Sequence, residues 1–165
     1  MKESIGYTVT LNIVITFIII VFAFLSAALI YFKSNKASNI ITETIEKYEG
    51  YNKIAENEIQ AKLTSLGYNK KPVDCNKYYK QLGTLLDPNS NSDLKNGECY
   101  NKYSSTGKYG YCVFYCIEED SVTGDMYYFY KITTNMLINI PIINDILDIP
   151  IFSNTNRLYS FDENR

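Results

Sequence analysis

Leu11 to Phe32 reads LNIVITFIIIVFAFLSAALIYF, an uncharged run in which only Asn12, Thr16 and Ser26 are clearly polar. As an α-helix it is about 33 Å long, and the hydrocarbon core of a bilayer is about 30 Å thick. A core helix in a small soluble domain shows a polar face, whereas this segment is apolar all round. A cleaved export signal is the other competing reading. Ser26 and Ala28 are small residues two apart and suit a cut after Ala28. The n-region, however, carries only Lys2 beside Glu3, and the apolar run continues through Leu29, Ile30, Tyr31 and Phe32. The segment is therefore read as a retained anchor, with Tyr7 and Tyr31 near the two membrane interfaces, where amphipathic rings are favoured.

Composition removes several classes of function. Sixteen basic and 18 acidic residues give a net charge of −2, with no basic stripe for nucleic acid. The chain has no histidine, which excludes Ser-His-Asp and Cys-His catalysis and histidine-containing zinc sites. No nucleophile elbow, P-loop, dinucleotide fingerprint or HExxH motif occurs. Glu118, Glu119 and Asp120 stand together, but beside Ser121 and Gly124 they read as a solvated hairpin tip. The expectation is a non-enzymatic protein with no catalytic residue, no metal and no cofactor. Sixteen tyrosines against no tryptophan suit strands and a Tyr-rich surface that meets partners.

Four segments organise the chain: residues 1–10, a transmembrane helix over 11–32, a helical stalk over 33–67, and an extracytoplasmic β domain over 68–165. In the stalk, Ala37, Ile40, Ile41, Thr44, Ile45 and Tyr48 recur at helical spacing. Gly50 breaks the pattern and Asn52 can cap a second helix. There Ile54, Ala55, Ile59, Leu63 and Leu66 continue the stripe, and Gly67 stands where a C-terminal glycine ends a helix. This predicts a long rod with a joint at Gly50. Beyond Tyr68, a short helix is predicted over Asn76–Leu86, then a loop, DPNSNSDLKNG. Strands follow at Glu98–Tyr103 and Lys108–Ile117 around an SSTG turn, and at Asp125–Met136 after EEDSVTGD. In the last, Tyr128, Tyr130, Ile132, Thr134 and Met136 share one face. Pro141 and Pro150 bracket an apolar stretch read as a helical turn or crossing segment. Ile149–Ser160 is the closing strand. The fold class is α+β: a long N-terminal helix, a second helix and a small antiparallel sheet.

Cys75, Cys99, Cys112 and Cys116 are an even set that suits two disulfides outside the cytoplasm. On one strand Cys112 and Cys116 are about 13 Å apart, beyond the reach of about 7 Å that a disulfide allows. A tight SSTG turn places Cys99 opposite Cys112 or Val113. The pairing expected is therefore Cys99–Cys112 with Cys75–Cys116. The rival, Cys75–Cys112 with Cys99–Cys116, needs a hairpin shifted by about four residues.

Two stretches carry a resemblance. One is GYTVTLNIVITFIIIVFAFLSAALIYFKSNKASNIITETIEKYEGYN, and the other is YYFYKITTNMLINIPIINDILDIPIFSNTNRLY. An apolar helix prolonged into an amphipathic one, then a small antiparallel sheet, resembles the pilin and pseudopilin plan. Within it the chain is similar to TadE-like subunits of tight-adherence (type IVc) pilus systems. The resemblance implies a pilin-like fold and a membrane-anchored pilus or pseudopilus component. It implies partners among membrane lipid and other pilin-like or platform subunits, with assembly into a homo-oligomer or filament. One departure is plain: prepilins carry a Glu five residues after the cleavage-point Gly, whereas Gly6 is followed by Tyr7, Thr8, Val9, Thr10 and Leu11.

The expected topology has the N-terminus in the cytoplasm and the C-terminal domain outside. Lys33 and Lys36 after the anchor, against Lys2 before it, argue the other way; the cysteines and the pilin-like plan outweigh them. The alternative function is a membrane-tethered extracellular binding module unrelated to pili.

Overall fold

Helix α1 spans Lys2–Lys47 without a break, so the apolar run and the first amphipathic segment are one element. A computed structural model of the chain describes residues 2–68, 71, 73–75, 85–86, 97, 99–103, 109–139 and 146–158. Between residues 7 and 33 every position of α1 is exposed except Ala27 and Ile30, which are half-buried. The pattern then inverts, and Ser34, Ala37, Ser38, Ile41, Thr44 and Ile45 are buried. One helix thus has a bare apolar part, long and apolar enough to cross a membrane, and a part that forms the core of the head.

Glu49 ends α1 in the left-handed conformation, φ 50°, and the N–H of Gly50 returns to the carbonyl of Ile45 at 2.9 Å. The Asn52 side chain then accepts the N–H groups of Ile54 and Ala55 and starts α2, Lys53–Leu66. Gly67, at φ 66°, closes it: Tyr68 N–H bonds Leu63 O and Gly67 N–H bonds Thr64 O. The expected rod, the joint at Gly50 and the second helix are all present, and the joint is a reversal. α2 folds back along α1, with Lys47 against Glu58, Lys62 reaching Thr44, and Gly67 beside the Lys33 ammonium. An amphipathic helix gains more by laying its apolar stripe on a neighbour than by extending it into water. Ala55, Ile59 and Leu63 form that stripe, while Ile54, expected within it, is 63% exposed.

The sheet has five strands in sequence order: β1 (Leu85–Leu86), β2 (Cys99–Tyr103), β3 (Tyr111–Glu119), β4 (Met126–Asn139) and β5 (Ile146–Asn154). β1 pairs with β2 in parallel, and the other pairs are antiparallel. The layout is the expected α+β. Leu85 and Leu86 are strand where a helix was expected; the rest of that expected helix lies outside the described residues. The crossing segment is corrected in part. Residues 146–148 are strand, so the closing strand expected from Ile149 begins at Ile146, and Pro150 sits in it opposite Asn135. Proline is tolerated there because β5 is an edge strand. Pro141 lies outside the described residues.

Both faces of the sheet are covered. Val113, Tyr111, Tyr130 and Ile132 pack on the helices with Ile41, Ile45, Ile59 and Leu63. Cys112, Phe114, Cys116, Tyr127 and Phe129 form a second cluster with Cys75 and Val73 on the opposite side. β3 therefore alternates between two cores, which explains its near-continuous burial.

Candidate functional site

Polar side chains fix the head to α1. Ser34 Oγ donates to Asn135 O at 3.2 Å, and Thr134 Oγ1 donates to Ser34 O at 3.3 Å. Ser38 and Ser153 hydroxyls lie 2.6 Å apart, with Thr42 joining them. Further along, the N–H of Asn156 donates to Glu46 at 2.6 Å. β4 therefore runs antiparallel to α1, and its C-terminal end points back toward the bare helix. The first two bonds join a side chain to a backbone carbonyl about 100 residues away in sequence, and no local spacing signals them.

The far end is clamped by charge. Glu58 receives Lys47 at 2.8 Å, Lys62 at 2.7 Å and the Tyr48 hydroxyl at 2.6 Å. Hydrogen bonds from Lys47, Lys62 and Tyr48, in that order, hold its carboxyl down to about 2. The clamp ties the end of α1 to the middle of α2.

In the bare part of α1, Asn12, Ile13, Thr16, Phe17 and Ile20 line a shallow open groove. Thr16 and Ser26 turn their hydroxyls back onto the carbonyls of Asn12 and Phe22, both at 2.8 Å. Thr16 stands about five helical turns below Ser34 and hence on the same side of α1 as the head. Small and hydroxyl-bearing side chains of this kind let helices approach closely in a bilayer.

The cysteine pairing is corrected. The disulfides join Cys75 to Cys112 and Cys99 to Cys116. Register is the reason. Cys99 lies directly opposite Cys116, and a bulge between Asn101 and Tyr103 shifts the ladder. β2 ends at Tyr103 and β3 begins at Tyr111. The connection is thus longer than a tight SSTG turn, and the shift of register is available to it. Gly110 enables the other bridge. A Cβ there would collide with Lys71 O and stand 2.7 Å from Val73 Cγ2. Its absence lets Lys71 and Val73 lie against the start of β3, near where Cys75 meets Cys112.

Of the tyrosines expected to give a Tyr-rich surface, six are buried instead, while the side chains of Tyr78, Tyr79, Tyr100, Tyr103 and Tyr159 lie outside the description. Tyr51, Tyr68, Tyr109, Tyr111, Tyr127 and Tyr130 are buried. Their hydroxyls find partners inside: Tyr51 with Tyr111 at 2.8 Å, Tyr109 with Thr64, and Tyr68 with Gly110 O at 3.0 Å. Burial raises the Tyr111 hydroxyl above its ordinary range. Tyrosine thus serves this head as a core residue whose polar tip is satisfied internally.

At the distal β3–β4 turn, Glu118 accepts the Tyr127 hydroxyl at 2.8 Å. Asp120 pairs with Arg157, whose guanidinium lies over the Tyr127 ring. The Val122 N–H, then Arg157, hold the Asp120 carboxyl below its usual range. These carboxylates are engaged in structural bonds. Among the described residues no three His, Cys, Asp or Glu side chains converge as metal ligands. No family model, no curated protein and no solved structure matches the chain.

Proposed function

We propose that this chain is a non-enzymatic, bilayer-anchored subunit of a pilus or pseudopilus-like apparatus, with α1 packed among other apolar helices. The observation that carries this reading is the continuity of α1. No linker separates the bare apolar part from the residues that form the core of the head. A tether needs only a flexible join. A single rigid helix instead fixes the orientation of the head to that of its membrane segment, which suits a subunit whose helix packing sets the spacing of its heads. The groove at Asn12 and Thr16 supplies a surface for such packing. Two disulfides favour an oxidising exterior for the head, and hence a cytoplasmic N-terminus.

The test is isolation of the tagged chain from its native membranes in mild detergent. Co-isolation of pilin-like or platform subunits is the expected result. Recovery of the chain alone would return it to the tethered-module class.

A further inference from the structure

The bonds from Ser34 to Asn135 and Thr134 set the level at which the head meets α1. That level lies one residue beyond Lys33, where the apolar run has just ended. β4 does not stop there. It continues to Asn139, and β5 returns from Ile146, with Asn139 opposite Ile146. Four more residues of strand are about 13 Å, a distance α1 covers in about nine residues. The two strands therefore descend beside the apolar run itself. Ala27 and Ile30 are the residues of the 7–33 stretch that are half-buried, as a strand pair at that depth requires.

The sequence of this hairpin end is correspondingly apolar. Met136 to Phe152 reads MLINIPIINDILDIPIF, with Asp145 and Asp148 as its charged residues. Ile149, opposite Met136, is 43% exposed, and Phe152 is 44% exposed.

We propose that the β4–β5 end is a second membrane contact, lying in the headgroup and acyl boundary of the same bilayer that α1 crosses. Its lipid-facing surface is the exposed edge around Ile149, continuous with the exposed surface of α1. Apolar elements of this kind settle about 5–10 Å into that boundary. The open edge of β5 keeps it from going deeper, because unpaired backbone groups are costly in hydrocarbon. The contact holds the head in a fixed tilt against the bilayer, and it is the same whichever leaflet faces the head.

The test uses the full oxidised chain in phosphatidylcholine vesicles carrying spin labels high on the acyl chains. A polarity-sensitive fluorophore is attached at Ile149→Cys, Phe152→Cys or Val122→Cys, one per protein. Val122, 89% exposed in the distal turn, is the aqueous reference. The expected order of blue shift and of quenching by the lipid labels is Ile149, then Phe152, then Val122. Emission at both Ile149 and Phe152 matching that at Val122 would overturn the proposal. So would a blue shift at Ile149 without lipid quenching, which would mean that a second copy or another protein covers the surface.

Discussion

The hydroxyl of Tyr68 accepts the backbone N–H of Asn135 at 2.9 Å, just past the end of the β3–β4 ladder. Pairing of those strands stops at Tyr111 opposite Thr134. Tyr68 occupies the next rung, and its own proton is directed to Gly110 O and Asn135 O. A side chain just beyond α2 thus finishes the sheet and joins helix pair to sheet at one buried point. Tyr68→Phe keeps the ring but leaves the buried Asn135 N–H without this acceptor, a loss of about 1–3 kcal/mol. Chemical unfolding of the detergent-solubilised full chain measures it. An unchanged midpoint would show that the hydroxyl has no such part.

Gly110 is required by close approach. Gly110→Ala drives a methyl into Lys71 O and Val73. Backbone displacement of this kind costs about 1–3 kcal/mol, and it moves the segment that presents Cys75 to Cys112. Non-reducing peptide mapping of the wild-type chain should recover Cys75–Cys112 and Cys99–Cys116. In Gly110→Ala the first bridge should form less completely while the second is unaffected. Equal loss of both bridges would contradict this account of the glycine.

The Glu58 clamp makes a statement about pH. Its carboxyl titrates near 2 in the folded chain, against about 4.3 unfolded. A depressed carboxylate contributes stability that is fully present above the unfolded value and is lost as pH falls through the folded one. The contribution should therefore fade between about pH 4.3 and 2, and salt should weaken it because the pair is exposed. Carbon-detected NMR of the Glu58 carboxyl should show a midpoint near 2, moved upward by Lys47→Ala. A wild-type midpoint near 4.3 would sink the clamp.

Glu49 carries a left-handed backbone at the end of α1. That conformation costs a residue with a side chain about 1–2 kcal/mol, while glycine gives back about 0.4–1 kcal/mol through its freer unfolded state. Glu49→Gly should stabilise the chain by up to about 1.6 kcal/mol, read as a higher unfolding midpoint. A lower midpoint would mean that the glutamate side chain contributes more than its backbone costs.

Much of the layout was legible where it depends on neighbours in sequence. The apolar run, the Asn52 cap, the Gly67 stop and the helix-facing set Tyr130, Ile132, Thr134 and Met136 follow from spacing and local backbone chemistry. What escaped was long-range. Spacing shows that Ala55, Ile59 and Leu63 form a stripe, but not that the stripe returns to α1. The disulfide pairing turned on a bulge and on a connection longer than SSTG suggested, neither of which cysteine positions reveal. The bracketing prolines suggested a crossing segment up to Pro150, whereas the closing strand starts ahead of that proline, at Ile146, on the sheet edge. The tyrosines were expected outside because composition does not say whether a hydroxyl will find an internal partner. Ser34, Tyr68 and Gly110 had no signal at all, because each acts through a backbone group far away in the chain.

The central claim is that the bare part of α1 is a surface for other helices, not only a tether through lipid. Site-specific photo-cross-linking in native membranes tests it most directly. A photoreactive residue placed at Thr16, in the groove on the head side, should give discrete adducts with other helix-bearing subunits. The same residue at Leu25, on the opposite side of the helix, should give mainly lipid adducts. Lipid adducts alone at both positions would contradict the account and leave α1 as an anchor.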